Sequence, residues 1–146
     1  MSKKELRKIL IDKINNSYWW HVPPEDPDAY KKRGKYLAST YAQAEFYGRP
    51  NIEPERVNIA NPIFDFSEEG ILKQLFPKKY KKLSLSEDVA DDPDYYGQRI
   101  ELDRKMCEMA RKNGHDAIVL LNPAGRQCLG RNRKPDSIEL NLLNAY

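Results

Sequence analysis

Cysteine is scarce in this chain of 146 residues, which contains only Cys107 and Cys128. The sequence has no CxxC pair and no cysteine–histidine spacing of the kind that binds zinc, so neither a disulfide framework nor a zinc site is predicted. We therefore expect no metal cofactor. Two cysteines without a disulfide pattern indicate a reducing compartment, the cytoplasm of the producing cell or of a host cell.

Long apolar runs are also missing. Nowhere do about 18 apolar residues follow one another, as a membrane-spanning helix requires, and the basic first 16 residues lack the apolar centre of a signal peptide. A soluble protein without a membrane partner is expected. The net charge of +3 is small, and it gives weak evidence for nucleic acid because dedicated binders concentrate Lys and Arg on one face.

Length and composition predict one compact domain spanning residues 1–146. Apolar residues make up 40% and charged residues 32% of the chain, which is typical of a globular protein. Residues 1–16 are expected to form an N-terminal helix. Residues 77–93 change from basic to acidic, and we predict that they form a flexible excursion from the domain.

Residue patterns predict short strands interleaved with helices, which indicates the α+β class. Ser2 and Glu5 have the spacing of a capping box at the start of the first helix. Thr40 and Gln43 have the same spacing before a second helical pattern that ends near Gly48. Strands are predicted at 17–22, 35–38, 56–64 with a break at Asn61–Pro62, 116–121 and 137–144. Further helices are predicted near 67–76 and 93–113.

The last predicted strand alternates between apolar and polar residues. Ile138 and Leu140 share one face, and Glu139 lies on the other. A lone strand glutamate is most simply a solvated surface residue. The face that carries Glu139 is therefore either solvent or a cleft.

Three other side chains have spacings of interest. His21 ends the aromatic segment YWWH, Tyr36 lies in GKYLA, and Tyr47 follows Tyr36 by eleven residues at the end of AQAEFY. Each has a structural alternative. His21 fits a core histidine bonded to backbone, and the tyrosines fit packing between a strand and a helix, with Phe46 as an alternative stacking ring.

Taken in order, WH at a strand end, GKYLA, AQAEFY, GHDAIV and the glutamate of IEL resemble the ADP-ribosyltransferase-like fold. More narrowly, they are similar to its His-Tyr-Glu class, shared by diphtheria-toxin-like enzymes and poly(ADP-ribose) polymerases. The resemblance covers residues 18–141. It implies a split β-sandwich of short strands flanked by helices, and an enzyme that uses NAD as its substrate.

The resemblance also implies a role for each residue. Glu139 would be the catalytic glutamate, His21 would bind a ribose hydroxyl of NAD, and Tyr36 and Tyr47 would hold the nicotinamide ring between them. All three residues of the His21, Tyr36 and Glu139 set would be catalytic. The backbone of Val22 would contact the carboxamide.

Two positions depart from the family pattern. Val22 stands where polymerase-like members have glycine, and Ala44 stands where they have a serine that binds the carboxamide. Val22 still offers a backbone N–H and C=O. Ser39 or Thr40 could replace the serine hydroxyl, although both also suit a helix cap.

The implied activity is mono-ADP-ribosylation of a macromolecule, with a protein as the expected target and nicotinamide released, as in a toxin or effector. Ser137 stands where arginine-directed relatives carry a second acid, so arginine is a less favoured acceptor. Two alternatives stay open: a degenerate module that binds NAD or a partner without chemistry, and ADP-ribosylation of nucleic acid. Residues 122–136 are expected to border the cleft and select an acidic or phosphate-bearing target through four basic side chains, Arg126, Arg131, Arg133 and Lys134.

Overall fold

The computed structural model describes residues 2–85, 93–121 and 138–144. Its helices are α1 (Lys3–Asn15), α2 (Ala29–Arg33), α3 (Tyr41–Glu45), α4 (Glu68–Leu75), α5 (Tyr80–Leu83) and α6 (Tyr95–Lys112). Its strands are β1 (Tyr18–His21), β2 (Lys35–Ala38), β3 (Glu55–Arg56), β4 (Pro62–Asp65), β5 (Ala117–Leu121) and β6 (Ile138–Leu142).

The six strands form one mixed sheet in the order β3-β1-β2-β6-β5-β4. β4 and β5 pair in parallel, and every other neighbouring pair is antiparallel. Three neighbours in this order, β1, β2 and β6, carry the three residues of the predicted catalytic set. The sheet therefore brings together segments that lie more than 100 residues apart in the chain.

Helices cover both faces of the sheet. On one face, which we call the α1 face, Leu10 and Ile14 of α1 pack with Leu37, Val119 and Leu140 of the sheet. The opposite face, the α6 face, meets α4, α5 and α6. Its buried members include Ile63, Ile71, Leu72, Leu102, Met106 and Ile118. The chain thus has two apolar clusters with the sheet between them.

Local signals set the ends of several elements as predicted. The Ser2 hydroxyl accepts a hydrogen bond from the Glu5 N–H at 3.1 Å, which caps α1. Thr40 caps α3 in the same way through the Gln43 N–H, at 3.2 Å. These bonds satisfy N–H groups that have no partner within the helix.

Within residues 56–64 the predicted break at Asn61–Pro62 coincides with the start of β4, but residues 57–61 before it are not a strand. β3 ends at Arg56 and β4 begins at Pro62, because the intervening N–H groups bond to side chains instead of to a neighbouring strand. The Ile59 N–H donates to Asn15 Oδ1 at 2.8 Å, and the Ala60 N–H donates to Asp116 Oδ2 at 2.7 Å. β4 begins with Pro62, which has no backbone N–H. Proline is accepted at the first position of a strand, where this N–H is not needed for strand pairing.

The α+β class is confirmed. The described strands lie in one sheet with helices on both faces, and the split β-sandwich that the resemblance implies stays a prediction. Within the predicted excursion, α5 supplies Tyr80 and Leu83, which pack on the α6-face cluster. Mobility of residues 77–93 also stays a prediction. None of the helices in the described ranges is long and apolar enough to cross a bilayer.

Candidate functional site

His21 ends β1, and its ring is held inside the protein. Its Nδ1 lies 2.8 Å from the carbonyl oxygen of Tyr36, and its Nε2 lies 2.9 Å from the hydroxyl of Tyr30. A carbonyl can only accept, so Nδ1 carries the proton and Nε2 accepts from the Tyr30 hydroxyl. The residue is 4% exposed. Both ring nitrogens therefore have protein partners.

Burial lowers the pKa of His21 below its usual value, although the hydrogen bond to the Tyr36 carbonyl opposes this effect. Because this pKa lies below 6.5, we expect most His21 rings to be neutral Nδ1–H imidazoles at pH 6.5, visible in long-range proton–nitrogen spectra as one protonated and one bare ring nitrogen. The unfolded chain takes up the proton first as the pH falls below about 6.5, so this ring should destabilise the fold on acidification. A His21 ring that is mostly charged at pH 6.5 would contradict this assignment.

The strand register separates His21 from the other two predicted catalytic residues. His21 lies opposite Leu37, whereas Tyr36 lies opposite Asn141. Directly paired residues share a face and successive residues alternate. The side chains of His21 and Leu37 thus lie on the α1 face of the sheet, and the side chain of Tyr36 lies on the α6 face.

Tyr36 and Glu139 do share a face. Glu139 is two residues from Asn141 on β6, and it is paired with Leu120, which packs on the α6-face cluster. Tyr36 keeps 45% of its surface exposed, yet its hydroxyl end is desolvated. Desolvation raises the pKa of that hydroxyl, and the charge of Asp103 adds to the rise.

Glu139 is exposed by surface area, but the surrounding protein still removes water from its carboxyl group. This desolvation raises the pKa of Glu139, Glu68 adds to the rise, and Arg99 opposes it. A carboxyl group with a raised pKa in a charged surrounding is a recognised indicator of a functional site. Tyr36 and Glu139 therefore form the centre of the candidate site.

A network of charges lies beside these two residues. Arg99 binds both oxygens of Glu68, at 2.9 and 2.6 Å, and contacts Asp103 Oδ1 at 2.7 Å. Arg33 donates to the other oxygen of Asp103 at 2.6 Å. Asp103 is 4% exposed, so a buried carboxylate joins two guanidinium groups.

Our sequence reasoning missed this network, although one signal for it was present. Asp103 lies among the buried positions of α6, in register with Met106, Cys107 and Ala110. A charged residue on an apolar helix stripe is rarely buried without a partner. Arg99 lies four residues before Asp103, a spacing that indicates a pair on a helix, whereas Arg33 is 70 residues away and could not be found from spacing.

The remaining predicted contacts to NAD do not join this centre. Tyr47 follows α3 and is 76% exposed, and Phe46 beside it is 89% exposed. Within the described ranges neither ring has an aromatic partner. The Ser39 hydroxyl donates to Gln43 Oε1 at 3.0 Å, and the Val22 side chain packs closely against Gly48.

Two surface depressions lie away from the centre. One, of about 340 Å³, is bounded by α6 and by the chain after α5. The other, of about 650 Å³, lies at the end of β1 and includes Pro23, Arg49 and Ile52. Neither of these two depressions is lined by Tyr36 or Glu139.

Cys107 contributes no nucleophile to this face. It is buried, and desolvation raises the pKa of its thiol to about 11, so the thiolate is scarce at neutral pH. In the described part of the chain no three His, Cys, Asp or Glu side chains are grouped as a metal site. The predicted target-selecting loop at 122–136 lies outside the described residues, as does Ser137.

The fold and this charged face define an α+β protein with a candidate carboxylate site on its central strands. Comparisons with family models, curated proteins and solved structures find no match to the chain.

Proposed function

We propose that this protein is an NAD-dependent mono-ADP-ribosyltransferase that modifies a macromolecule. The observation that carries the proposal is the position of Tyr36 and Glu139 on the same face of the neighbouring strands β2 and β6. An aromatic ring beside a partly desolvated carboxylate suits a flat cationic ring attached to a sugar. The proposal also rests on the order of motifs that resembles the His-Tyr-Glu class.

The chemistry needs an anion near the ribose. When the bond from ribose C1′ to the nicotinamide nitrogen breaks, nicotinamide leaves with the electron pair and positive charge develops on the sugar, as in glycoside cleavage generally. Ionised Glu139 would stabilise that charge more in the transition state than in the ground state. An acceptor nucleophile then bonds to C1′ and releases its proton to water.

His21 enters this proposal as a positioning residue. Its ring bonds to the carbonyl of Tyr36 and to the hydroxyl of Tyr30, on the opposite side of the sheet from Glu139. It would therefore hold the start of β2 in register and would not contact the ribose. This assignment differs from the ribose-binding role that the resemblance implies.

A second candidate is a module that binds NAD or a partner without chemistry. The separation of His21 from Glu139 favours it, because the complete family set would then not face one substrate. Val22 and Ala44, which replace the glycine and serine of polymerase-like members, favour it too.

Incubation with NAD labelled in its adenylate part, together with a cell extract, tests both candidates. Transfer predicts label on a macromolecule and release of free nicotinamide in equal amounts. Label that protease removes indicates a protein acceptor, and label that nuclease removes indicates nucleic acid. Calorimetric binding of NAD without nicotinamide release would favour the second candidate, and intact NAD with no binding would reject both.

A further inference from the structure

β6 and α6 run side by side in the same direction, and two contacts fix their alignment. Near their carboxyl ends, Arg111 Nε donates to the carbonyl of Leu143 at 2.8 Å. One step earlier, Asn141 Nδ2 lies 3.5 Å from Cys107 Sγ. Two strand residues rise about 6.6 Å, and four helix residues rise about 6 Å. The two elements therefore stay in step.

Moving back two more residues on β6 and four on α6 brings Glu139 level with Asp103. Arg99 lies one turn further back on α6, and its side chain contacts Asp103. Charged groups reach this point from four elements. Arg33 comes from α2, Glu68 from α4, Arg99 and Asp103 from α6, and Glu139 from β6. Among the described residues, Tyr36 of β2 and Cys107 and Tyr96 of α6 also lie near this point, and Tyr96 bonds to Arg33.

The geometry of Arg99 points to a specific role. Both of its terminal nitrogens and its Nε are held by Glu68 and Asp103, which lie on two different helices. Such a guanidinium group cannot swing away as a free surface arginine does. It keeps a positive charge at a fixed place beside β6.

We propose that Arg99, clamped between Glu68 and Asp103, is the residue that balances the charge of Glu139 on the α6 face. The proposal rests on the proposed function for its catalytic meaning, but not for its test. Arg99 favours the ionised carboxylate, whereas Glu68 and Asp103 disfavour it. Desolvation has the largest effect on the ionisation of Glu139, and these three charged neighbours, which oppose one another, modify it.

The test is a pH titration of the Glu139 carboxyl carbon by NMR in protein labelled at glutamate. The resonance is assigned by its loss in Glu139→Gln. Arg99→Gln should move the titration midpoint to higher pH, because the favourable positive charge is gone. Arg99→Lys should restore part of the shift. Glu68→Gln should move the midpoint to lower pH, because it removes a negative neighbour and releases Arg99 toward Glu139.

Arg104→Gln is the matched control. Arg104 lies on the same helix and also bridges two carboxylates, Glu101 and Glu108, but it is exposed on the far surface. Its replacement should leave the Glu139 midpoint where it is. Shifts of opposite sign in Arg99→Gln and Glu68→Gln support the proposal.

An unchanged midpoint in folded Arg99→Gln overturns the proposal. If that variant does not fold, an unchanged midpoint in Glu68→Gln overturns it equally. The midpoints are measured without NAD, so the result does not depend on whether the protein transfers ADP-ribose. Failure of the proposed function would instead appear as absent nicotinamide release in the wild-type protein.

Discussion

Replacing Glu139 with glutamine should slow ADP-ribose transfer by about 10²- to 10³-fold, the usual loss when one electrostatic contact to a transition state is removed. Glutamine keeps the size of the side chain but not its charge. NAD affinity should change little, because the carboxylate acts mainly on the charge that develops at the ribose. Nicotinamide release and calorimetric titration with NAD measure the two effects separately.

The raised pKa of Glu139 also predicts how transfer by the wild-type protein depends on pH. In the proposed mechanism ionised Glu139 is the active form, and the pKa of this carboxyl group is raised. Transfer should therefore decline on acidification at a higher pH than an ordinary glutamate would cause. Glu108→Gln, an exposed change on α6, is the control for both measurements. Equal transfer by wild type and Glu139→Gln would exclude Glu139 as a catalytic residue.

Glu139→Gln should also be more stable than wild type at neutral pH. Because the pKa of Glu139 is higher in the folded protein than in the unfolded chain, the folded state favours the protonated form. Stability is lost as the pH rises from about 4.5 through the folded-state pKa, and the penalty persists at neutral pH. Urea unfolding should show a gain for the variant at pH 7 that vanishes at pH 4. A site residue that is unfavourable for stability is expected where function is the reason for its presence.

Asp103→Asn should destabilise the fold by about 3 kcal/mol, because removing one partner of a buried ion pair leaves uncompensated charge. Two arginines would lose their shared carboxylate. The estimate is at the low end of the range because the Arg33 and Arg99 side chains are 27% and 25% exposed. Urea unfolding at pH 7 measures the change.

Glu101→Gln provides the comparison for Asp103→Asn. It removes an ion pair with Arg104 on the same helix, but that pair is exposed, so the unfolding midpoint should hardly move. If the two variants unfold at the same urea concentration, the network is not a stabilising feature of the core. A normal midpoint for Asp103→Asn with an altered Glu139 titration would assign the network to the site alone.

Where neighbours in sequence decide the conformation, the elements were predictable. Ser2 and Thr40 cap helices as their spacing indicates, and β2 spans the four residues KYLA. The predicted strand before the break at Asn61–Pro62 failed for the opposite reason. Its N–H groups bond to Asn15 and Asp116, which lie far away in the chain.

The candidate site was also predictable only in part. Alternation along β6 placed Glu139 on the other face of the strand from Ile138 and Leu140, and both of these residues are buried on the α1 face. No pattern within β1 or β2 could indicate that His21 would pair with Leu37. A shift of one residue in that register would have moved His21 to the face of Tyr36.

The sequence by itself determined the α+β class, the helix caps, most of the strands and the polar face of Glu139, because each depends on periodicity or on contacts within a few residues. Only the tertiary structure decided the strand order, the opposite faces of His21 and Tyr36, and the Glu68–Arg99–Asp103–Arg33 network. These features join residues up to about 100 positions apart. Their energies come from pairing and burial between segments, and such pairing leaves no local pattern in the chain.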